Sequence, residues 1–438
     1  MTDREVGMTA EESSDAQGGE VSRETWKWSV LAGMASYLDA GSIVALGAGL
    51  ALWQQELGMG NSAVGLLAAI GPNAAGAALG AFIGGHLGDR LGRKRIYQYD
   101  LLLYAAGILC IVFAANAVML FAGTVIVAIA VGADVPTSLA LVGEFSPAKA
   151  RGKLLGSTQV AWSLGPVVVL LLALVLSPLD LLGIRIVFAH LFVVAMITWW
   201  LRRGLTESRR WTAAAEDDSA PPAPGPRELL RRPHITALLF TGSVYLTWNL
   251  AAGTNGIFLP YILSTVGSQS QAASVALQSA SFVLTAVFTV LVFMRFTDRG
   301  YVPRRIVWAA GAVMQITAFA LFLVLPFTTP VAMANIALFG IGAALAGEAF
   351  YKVWSQELFP TLLRGTAQGI TFGTARVVLG VWSFFVPVLA ETGIKPVAAL
   401  LTAFLAISGV IGFFFMPHTA GRSLEDIEEE RAPDPVPG

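Results

Sequence analysis

The sequence predicts an all-α membrane protein whose twelve transmembrane helices form two six-helix bundles. Three observations support this fold class. Hydrophobic residues make up 55% of the chain, charged residues only 13%, and the mean hydropathy is +0.67, which excludes a water-soluble globular protein of 438 residues. The apolar runs are long and continuous rather than alternating, which favours helices over a β-barrel. Finally, one motif occurs twice, which indicates a duplicated unit.

The duplicated motif is E-x-x-P-x-x-x-R-G, found at residues 144–152 and again at residues 357–365, an offset of 213 residues. A second pair, Asp89-Arg90 and Asp298-Arg299, is separated by 209 residues. The longer motif follows apolar segments four and ten, and the Asp-Arg pair follows segments two and eight. Each copy therefore contains six helices, and both copies have the same orientation in the membrane.

Twelve apolar segments are long enough to cross a bilayer. They lie at residues 28–52, 62–86, 97–116, 118–143, 153–176, 181–202, 234–263, 272–294, 305–326, 330–355, 365–390 and 396–416. The predicted organisation is a disordered tail at 1–27, a six-helix bundle at 28–203, a linker at 204–233, a second bundle at 234–417 and a tail at 418–438. The linker contains a proline-rich stretch and is expected to be flexible.

The basic residues lie almost entirely on one side of the predicted membrane. Of the 28 Lys and Arg residues, 24 lie in the tails and at the exits of the even-numbered segments, and only Arg185 and Lys395 lie on the other side. Because Lys and Arg are retained in the cytoplasm during insertion, we expect both termini to be cytoplasmic and the protein to lie in the cell (plasma) membrane. The remaining two, Lys352 and Arg376, lie within segments and need a functional explanation.

The sequence predicts no disulfide, enzymatic, metal-binding or cofactor chemistry. The single Cys110 excludes a disulfide within the chain, and the four His residues are scattered, so neither an enzyme nor a metal or cofactor site is expected. Nucleic acid is not expected as a partner, and a monomer is expected.

Several loop motifs resemble those of one transporter family. Residues 85–94 read GHLGDRLGRK, residues 207–211 read ESRRW, and residues 417–427 read PHTAGRSLEDI. Together with the doubled E-x-x-P-x-x-x-R-G, these segments resemble the major facilitator superfamily, and within it the sugar porter branch, over almost the whole chain. Two departures are Thr206, where the family has Pro, and His418, where it has an acid. The resemblance implies secondary active transport by alternating access.

The same resemblance implies a gate at the cytoplasmic helix ends. Carboxylates and guanidinium groups form strong bidentate pairs in a partly dehydrated layer, and such pairs would hold the two bundles together. The neighbouring basic residues at 90, 94 and 95 are expected to fix the topology and contact lipid headgroups. The N-half latch would consist of Asp89, Arg93, Glu144 and Arg151, with Glu357 and Arg364 as the C-half counterparts.

Two acidic residues inside the segments are predicted to couple transport to protons, because charges in a membrane are costly and mark function. Asp39 lies in a segment that resembles the sugar porters' G-Y-D-x-G, whose Asp is the protonation site in proton-coupled members. The family's Arg partner in segment four falls at Thr124 here. We therefore expect Asp39 to lack a basic partner and Asp134 to supply a second acid that shares its proton. The alternative is a permanently paired, structural Asp39.

Amide side chains at positions that match the sugar porters predict a neutral, hydroxyl-rich ligand, since amides donate and accept at once. Gln159 resembles the amide of helix five, and Asn249 and Asn255 resemble those of helix seven. The alternative to ligand binding, for each of these amides, is a structural hydrogen bond between helices. The aromatic candidates for the cavity are Trp248, Tyr351, Trp354 and Trp382.

Charged residues in the second half are also compatible with an anionic ligand. Glu348 and Lys352 are spaced i, i+4 and share a helix face, where sugar porters have aromatic residues. Either they neutralise each other, or Lys352 binds an anionic group with Arg376 as a second cation.

The expected function is import of a sugar or cyclic polyol, such as an inositol, by proton symport. An aromatic or hydroxy acid carried with protons is the runner-up, followed by efflux transport and non-transporting nutrient sensing. The expected partners are the small-molecule substrate, protons and the lipid bilayer.

Overall fold

The structure is a computed structural model that describes residues 21–216, 225–265, 271–391 and 393–431. Within these ranges, twelve helical spans are long and apolar enough to cross a membrane, which confirms the predicted fold class. We number these spanning helices α1 to α12 in chain order. The first six are α1 Arg23–Glu56, α2 in two segments (Asn61–Ile70 and Ala75–Leu91), α3 Arg93–Val112, α4 Ala117–Phe145, α5 Arg151–Val175 and α6 Asp180–Arg202.

The second half repeats this pattern. Its helices are α7 His234–Thr265, α8 from Gln271–Phe288 through a π-helical turn Thr289–Phe293 to Met294–Phe296, α9 Tyr301–Val324, α10 in two segments (Thr329–Leu345 and Glu348–Glu357), α11 Thr361–Glu391 and α12 Ile394–Phe414. Both halves begin and end at the same face of the molecule, which we call the terminal face.

Helix α1 begins before the predicted span. Ser22 caps it, because its hydroxyl accepts a hydrogen bond from the amide of Thr25 at 3.1 Å. Such a cap stabilises a helix by about 1 kcal/mol. The predicted tail at 1–27 is therefore too long at its C-terminal end, while residues 1–20 lie outside the described residues.

Two spans that the sequence predicts as continuous are interrupted. In α2 the helix stops at Ile70, just before Gly71 and Pro72, since proline has no amide hydrogen and restricts the residue before it. In α10 the interruption falls at Ala346 and Gly347. The second segment of α10 therefore starts inside the span, and its first residue is Glu348. A carboxylate is favoured there by the free amides and the dipole of a helix N-terminus.

The halves meet along α2 against α11 and α5 against α8. The first of these contacts depends on glycine. A Cβ built on Gly85 would lie 2.3 Å from the carbonyl oxygen of Gly365, and one on Gly369 would lie 2.3 Å from that of Ala81. Only glycine permits so close an approach of the two backbones.

The segments outside the bundles also pack on the terminal face. A short helix, Arg209–Ala215, follows α6, and Trp211 donates its indole N–H to the carbonyl oxygen of Asp89 at 2.8 Å. The C-terminal helix Leu424–Glu430 is linked to the short helix by the ion pair Arg210–Glu425 at 3.2 Å. The expectation of a flexible linker thus does not hold for its first part, and its proline-rich centre at 217–224 lies outside the described residues.

Candidate functional site

A cluster of four charged side chains lies between the two halves, near the middle of the helices. Asp39 of α1 and Arg376 of α11 form its first pair, with 3.8 Å between Oδ2 and Nη2, and both side chains are almost fully buried. The indole N–H of Trp162 donates to the same Asp39 oxygen at 3.2 Å. Arg376 also donates to Asn73, which lies within the break in α2, and its guanidinium lies 4.7 Å from the Phe372 ring centre. Residues of α1, α2, α5 and α11 therefore converge on one ion pair.

This geometry corrects one sequence prediction. Thr124 occupies the position at which the sugar porter pattern has an arginine. It is buried, and its hydroxyl has no hydrogen-bond partner among the described residues. Asp39 nevertheless has a basic partner, supplied by Arg376 from the opposite half. Sequence spacing within one half could not reveal a partner that only the contact between the halves brings near.

Glu348 and Lys352 form the second pair of the cluster. Their Oε1 and Nζ atoms are 3.9 Å apart, and both residues act electrostatically on Asp39. The separation is too long for a hydrogen bond. The Lys352 ammonium has no hydrogen-bond partner in the part of the chain that the structure describes, although the residue is 1% exposed. Its three donors are therefore available to a bound molecule.

Aromatic rings form one wall beside this cluster. The rings of Tyr245 and Tyr351 stack with 3.9 Å between their centres, and Phe372 stacks on Tyr245 at 5.8 Å. The Tyr351 hydroxyl is held by Thr371 at 2.8 Å. Such a rigid wall next to charged groups suits a ring-shaped ligand with a weakly polar face and polar edges.

Two of the predicted amides carry unsatisfied groups. The Oε1 atom of Gln159 in α5 and the Oδ1 atom of Asn249 in α7 are buried and have no partner among the described residues. Gln159 lies one turn before Trp162, the residue that donates to Asp39. Asn249 donates to Tyr245 at 3.4 Å, which connects it with the aromatic wall. Both amides therefore belong to the surroundings of the charged cluster, each with an acceptor left free.

The other predicted binding residues are placed differently. Trp382 donates to Thr254 at 2.9 Å and so links α11 to α7, at the residue directly before the buried Asn255. Trp354 packs instead inside the second bundle, with Phe350 at 5.0 Å and Trp308 at 4.9 Å between ring centres. It is part of an aromatic core and not of the charged cluster.

Asp134 does not join Asp39. Its Oδ2 atom lies 3.4 Å from Arg202 of α6, and the same arginine lies 3.9 Å from Asp100 of α3. The expectation that Asp39 lacks a basic partner and shares its proton with Asp134 is wrong, because each acid is paired with a different arginine. Asp134 lies in a second, separate buried cluster.

At the terminal face, the E-x-x-P-x-x-x-R-G motifs form a latch between the halves. The Oε1 atom of Glu144 accepts from Arg93 at 3.0 Å and from Arg364 of the opposite half at 3.1 Å. The Oε2 atom of Glu357 accepts from Arg304 at 2.8 Å, and its Oε1 atom lies 3.4 Å from Arg151 of the opposite half.

The motifs thus exchange partners. Each Glu pairs with one arginine of its own half and with the motif arginine of the other copy. The sequence grouped Glu144 with Arg151 and Glu357 with Arg364, whereas the structure pairs Glu144 with Arg364 and Glu357 with Arg151. All these groups are buried, so removing one partner of a pair would leave an uncompensated charge away from water.

Two aspartates complete the latch by capping helices of the opposite half. Asp89 accepts from the amides of Gly365 at 3.0 Å and Thr366 at 2.6 Å, near the start of α11. Asp298 accepts from the amides of Gly152 at 2.9 Å and Lys153 at 2.8 Å, at the start of α5. A carboxylate at a helix N-terminus satisfies free amides and interacts favourably with the dipole.

The latch contains residues that were not predicted for it. Burial raises the pKa of the Asp298 carboxyl, while Arg304 and the two amides of α5 oppose this rise. Asp298 repeats Asp89 at the offset of 209 residues, so the repeat would have revealed it. Arg304 pairs with Glu357 as Arg93 pairs with Glu144, but it lies 211 residues after Arg93 and so falls outside that register. Glu207 caps α3 through the amides of Arg93 and Lys94, both at 3.0 Å, which explains the ESRRW segment physically.

Two six-helix bundles that surround a buried charged cluster, and that are joined at one face by exchanged ion pairs, have the architecture of a membrane transporter. The family comparison makes this specific: residues 29–383 match the model of the Major Facilitator Superfamily, and the chain belongs to that family. The resemblance read from the motifs is confirmed, and the protein is a multi-pass membrane protein.

Among curated relatives, the chain is 41% identical to the minor myo-inositol transporter IolF of Bacillus subtilis over 413 residues, or 92% of this chain and 93% of that protein. It is 24% identical to the glucose transporter GlcP of Staphylococcus epidermidis over 386 residues, or 81% and 86% of the two chains.

Solved structures agree in fold. The proton:xylose symporter XylE bound to 6-bromo-6-deoxy-D-glucose matches with a TM-score of 0.78 and 18% identity over 93% of this chain and 99% of that one. The human organic anion transporter MFSD10 matches with a TM-score of 0.68 and 15% identity over 90% of this chain and 100% of that one. At these identities the likeness concerns the fold alone.

Proposed function

We propose that the protein imports a cyclic polyol of the inositol class together with protons. The observation that carries this proposal is the central cluster of Asp39, Arg376, Glu348 and Lys352, which has two negative and two positive groups and is therefore balanced in charge. A neutral ligand leaves that balance intact. The relative at 41% identity, a myo-inositol transporter, supports the same class of substrate.

A polyol fits the donors and acceptors that the cluster offers. Each hydroxyl of a cyclic polyol both donates and accepts, as do the amides of Gln159 and Asn249. The free acceptor atoms of these two residues and the free ammonium of Lys352 supply complementary partners. The stacked rings of Tyr245 and Tyr351 would support the C–H face of the ring.

Proton coupling is assigned to Asp39. A carboxylate that binds a proton loses its attraction for a neighbouring cation, so protonation of Asp39 would release Arg376. Because the two residues belong to different halves, the charge state of Asp39 alters the contact between the halves. Proton binding and rocking of the bundles are then linked by one ion pair.

The latch at the terminal face acts as the gate in this proposal. The ion pairs of Glu144 and Glu357 and the capped helices hold that face closed, and opening it requires all of these contacts to break. The basic residues concentrated there support a cytoplasmic location for the terminal face and both termini. The proposed unit is a monomer in the cell membrane.

The test uses purified protein in liposomes with labelled myo-inositol. A proton gradient, acidic outside, should drive accumulation in the parent protein, and an uncoupler should abolish it. Asp39→Asn should lose this accumulation and keep exchange of labelled for unlabelled solute, whereas Glu56→Gln, a change at an exposed acid, should keep both. Accumulation by Asp39→Asn that still collapses with the uncoupler would refute the assignment. Absence of exchange in the parent would favour a sensor.

An aromatic or hydroxy acid remains the second candidate, and one observation favours it. The buried ammonium of Lys352 has no hydrogen-bond partner among the described residues, and a carboxylate ligand would supply one. Protonation of Asp39 would also leave the cluster with one positive charge to match a monoanion. A thermal-shift screen separates the two: polyols should stabilise the parent, and acids should not. If only acids stabilise it, and Lys352→Ala abolishes their effect, the polyol proposal fails.

A further inference from the structure

A second cluster of buried charges lies entirely within the first half. Arg202 of α6 lies 3.4 Å from Oδ2 of Asp134 in α4 and 3.9 Å from Oδ1 of Asp100 in α3. It also donates to the carbonyl oxygens of Leu31 in α1 at 3.0 Å and Tyr97 in α3 at 3.2 Å. The guanidinium lies 3.5 Å from the Tyr97 ring centre. One arginine thereby joins four helices of the N-terminal bundle.

The charges of this cluster do not balance. Two carboxylates and one guanidinium leave a net charge of −1 on residues that are at most 5% exposed. An uncompensated charge at such a site is costly, and two carboxylates beside a single guanidinium cannot both stay ionised without leaving one. Asp100 and Asp134 both lie within 4 Å of the Arg202 guanidinium, at 3.9 Å and 3.4 Å, which places the two acids side by side. Oδ2 of Asp100 and Oδ1 of Asp134 have no hydrogen-bond partner among the described residues.

We propose that Asp100 and Asp134 hold one proton between them and that this proton stays bound throughout the transport cycle. Asp100 is the protonated member, because Arg202 is closer to Asp134 and contacts it through two nitrogens. The shared proton makes the cluster neutral. It thereby holds α1, α3, α4 and α6 together as one rigid unit.

The surroundings explain why this proton would not be transported. Among the described residues, the charged and titratable groups that act on the pair are Arg202 and Tyr97, and both belong to the first half. Rocking of one half against the other leaves these groups where they are, so the affinity for the proton is the same in both states. A ligand with equal affinity for two states does not shift them. Asp39 differs, because its partner Arg376 lies in the other half.

Infrared spectroscopy of the purified protein in lipid tests the proposal. At neutral pH we expect a carbonyl stretching band of a protonated, hydrogen-bonded carboxyl group that Asp39→Asn and Glu56→Gln retain and Asp100→Asn loses. Asp100→Asn should keep proton-driven accumulation, because an amide donates the same hydrogen bond and preserves neutrality. Asp134→Asn should lower the yield or the melting temperature of the folded protein, because it leaves Arg202 with only the more distant acid.

Three results would overturn the proposal. A band unchanged in Asp100→Asn means that no proton resides there. Loss of accumulation with retained exchange in Asp100→Asn means that the proton is transported. If Asp100→Asn does not fold, the band is followed in Asp39→Asn during addition of myo-inositol and change of pH, and a band that responds to the substrate contradicts a permanently bound proton. These outcomes hold whether or not Asp39 couples transport, because the infrared band is read independently of uptake.

Discussion

Asp39 and Arg376 form an ion pair across the contact between the two halves, with 3.8 Å between Oδ2 and Nη2. In the sugar porter pattern the arginine belongs to α4 of the same half, where this chain has Thr124. Moving the cation to α11 changes what protonation does. In a pair within one half, a proton would alter a local contact. Here it would alter an attraction between the two halves, which the proposed transport cycle moves against each other.

Replacing the arginine should uncouple transport from protons. In Arg376→Gln the buried Asp39 has lost its close cation, so it should stay protonated and accumulation driven by a proton gradient should be lost, while exchange remains. Breaking a buried pair from one side costs about 3–5 kcal/mol, so the melting temperature should also fall. The double variant Asp39→Asn/Arg376→Gln should recover part of that stability. Arg299→Gln, an exposed arginine, is the control, and an Arg376→Gln protein that still accumulates substrate would contradict the prediction.

The exchanged latch predicts coupling between distant residues. Glu144 and Arg364 are 220 positions apart, and each should lower the melting temperature when changed to Gln. In a double-mutant cycle we expect a coupling energy of about 0.5–3 kcal/mol, because the two side chains contact each other directly. The pair Glu144 and Arg151 provides the matched comparison, since the structure does not pair them. Equal coupling in both cycles would show that the partners are not exchanged.

Close packing at Gly369 should be essential for closing the terminal face. A Cβ there would lie 2.3 Å from the Ala81 carbonyl oxygen, and a backbone atom cannot move aside by a change of rotamer. We expect Gly369→Ala to slow exchange strongly and to keep the protein folded in the state that is open at this face. Gly47→Ala is the control, because a Cβ at Gly47 meets nothing within 4 Å. Unchanged exchange by Gly369→Ala would argue against closure through this contact.

The amides should set substrate affinity. Gln159→Ala and Asn249→Ala each remove about one neutral hydrogen bond, which corresponds to a rise of about two- to tenfold in the half-saturating concentration of myo-inositol. Counterflow at varied substrate concentration measures this change. Thr402→Ala serves as the control, because the Thr402 hydroxyl bonds a carbonyl of its own helix. Equal affinities in all variants would remove the two amides from the site.

Sequence reasoning succeeded where the signal was local or repeated. The apolar runs predicted the twelve spans, and the doubled motif predicted where the latch residues lie. It also singled out Asp39, Glu348, Lys352 and Arg376 as charges within spans, and these four form the central cluster. Their cost inside a membrane makes such residues conspicuous even without a structure.

Which residues contact each other was harder to predict, because these contacts depend on how the helices pack. Arg202 looked like one of many basic residues at a helix end, yet it reaches back to Asp134. Trp354 is an aromatic residue in a segment that was expected to line the cavity. Its position on α10 places its ring in the core of the second bundle instead, against Trp308. The break at Gly347 also went unnoticed, since a single glycine in an apolar run is tolerated in many membrane helices.

The partner exchange between the repeated motifs has a consequence for assembly. When the first half has been synthesised, Glu144, Arg151 and the start of α5 still lack the groups that satisfy them, because Arg364, Glu357 and Asp298 are made later. The charged groups and free helix ends of each half therefore lack their partners until the other half has inserted beside it. A truncated or misinserted chain would expose unpaired charges and free helix ends at the membrane surface, a mark by which cellular quality control could distinguish unfinished molecules from finished ones.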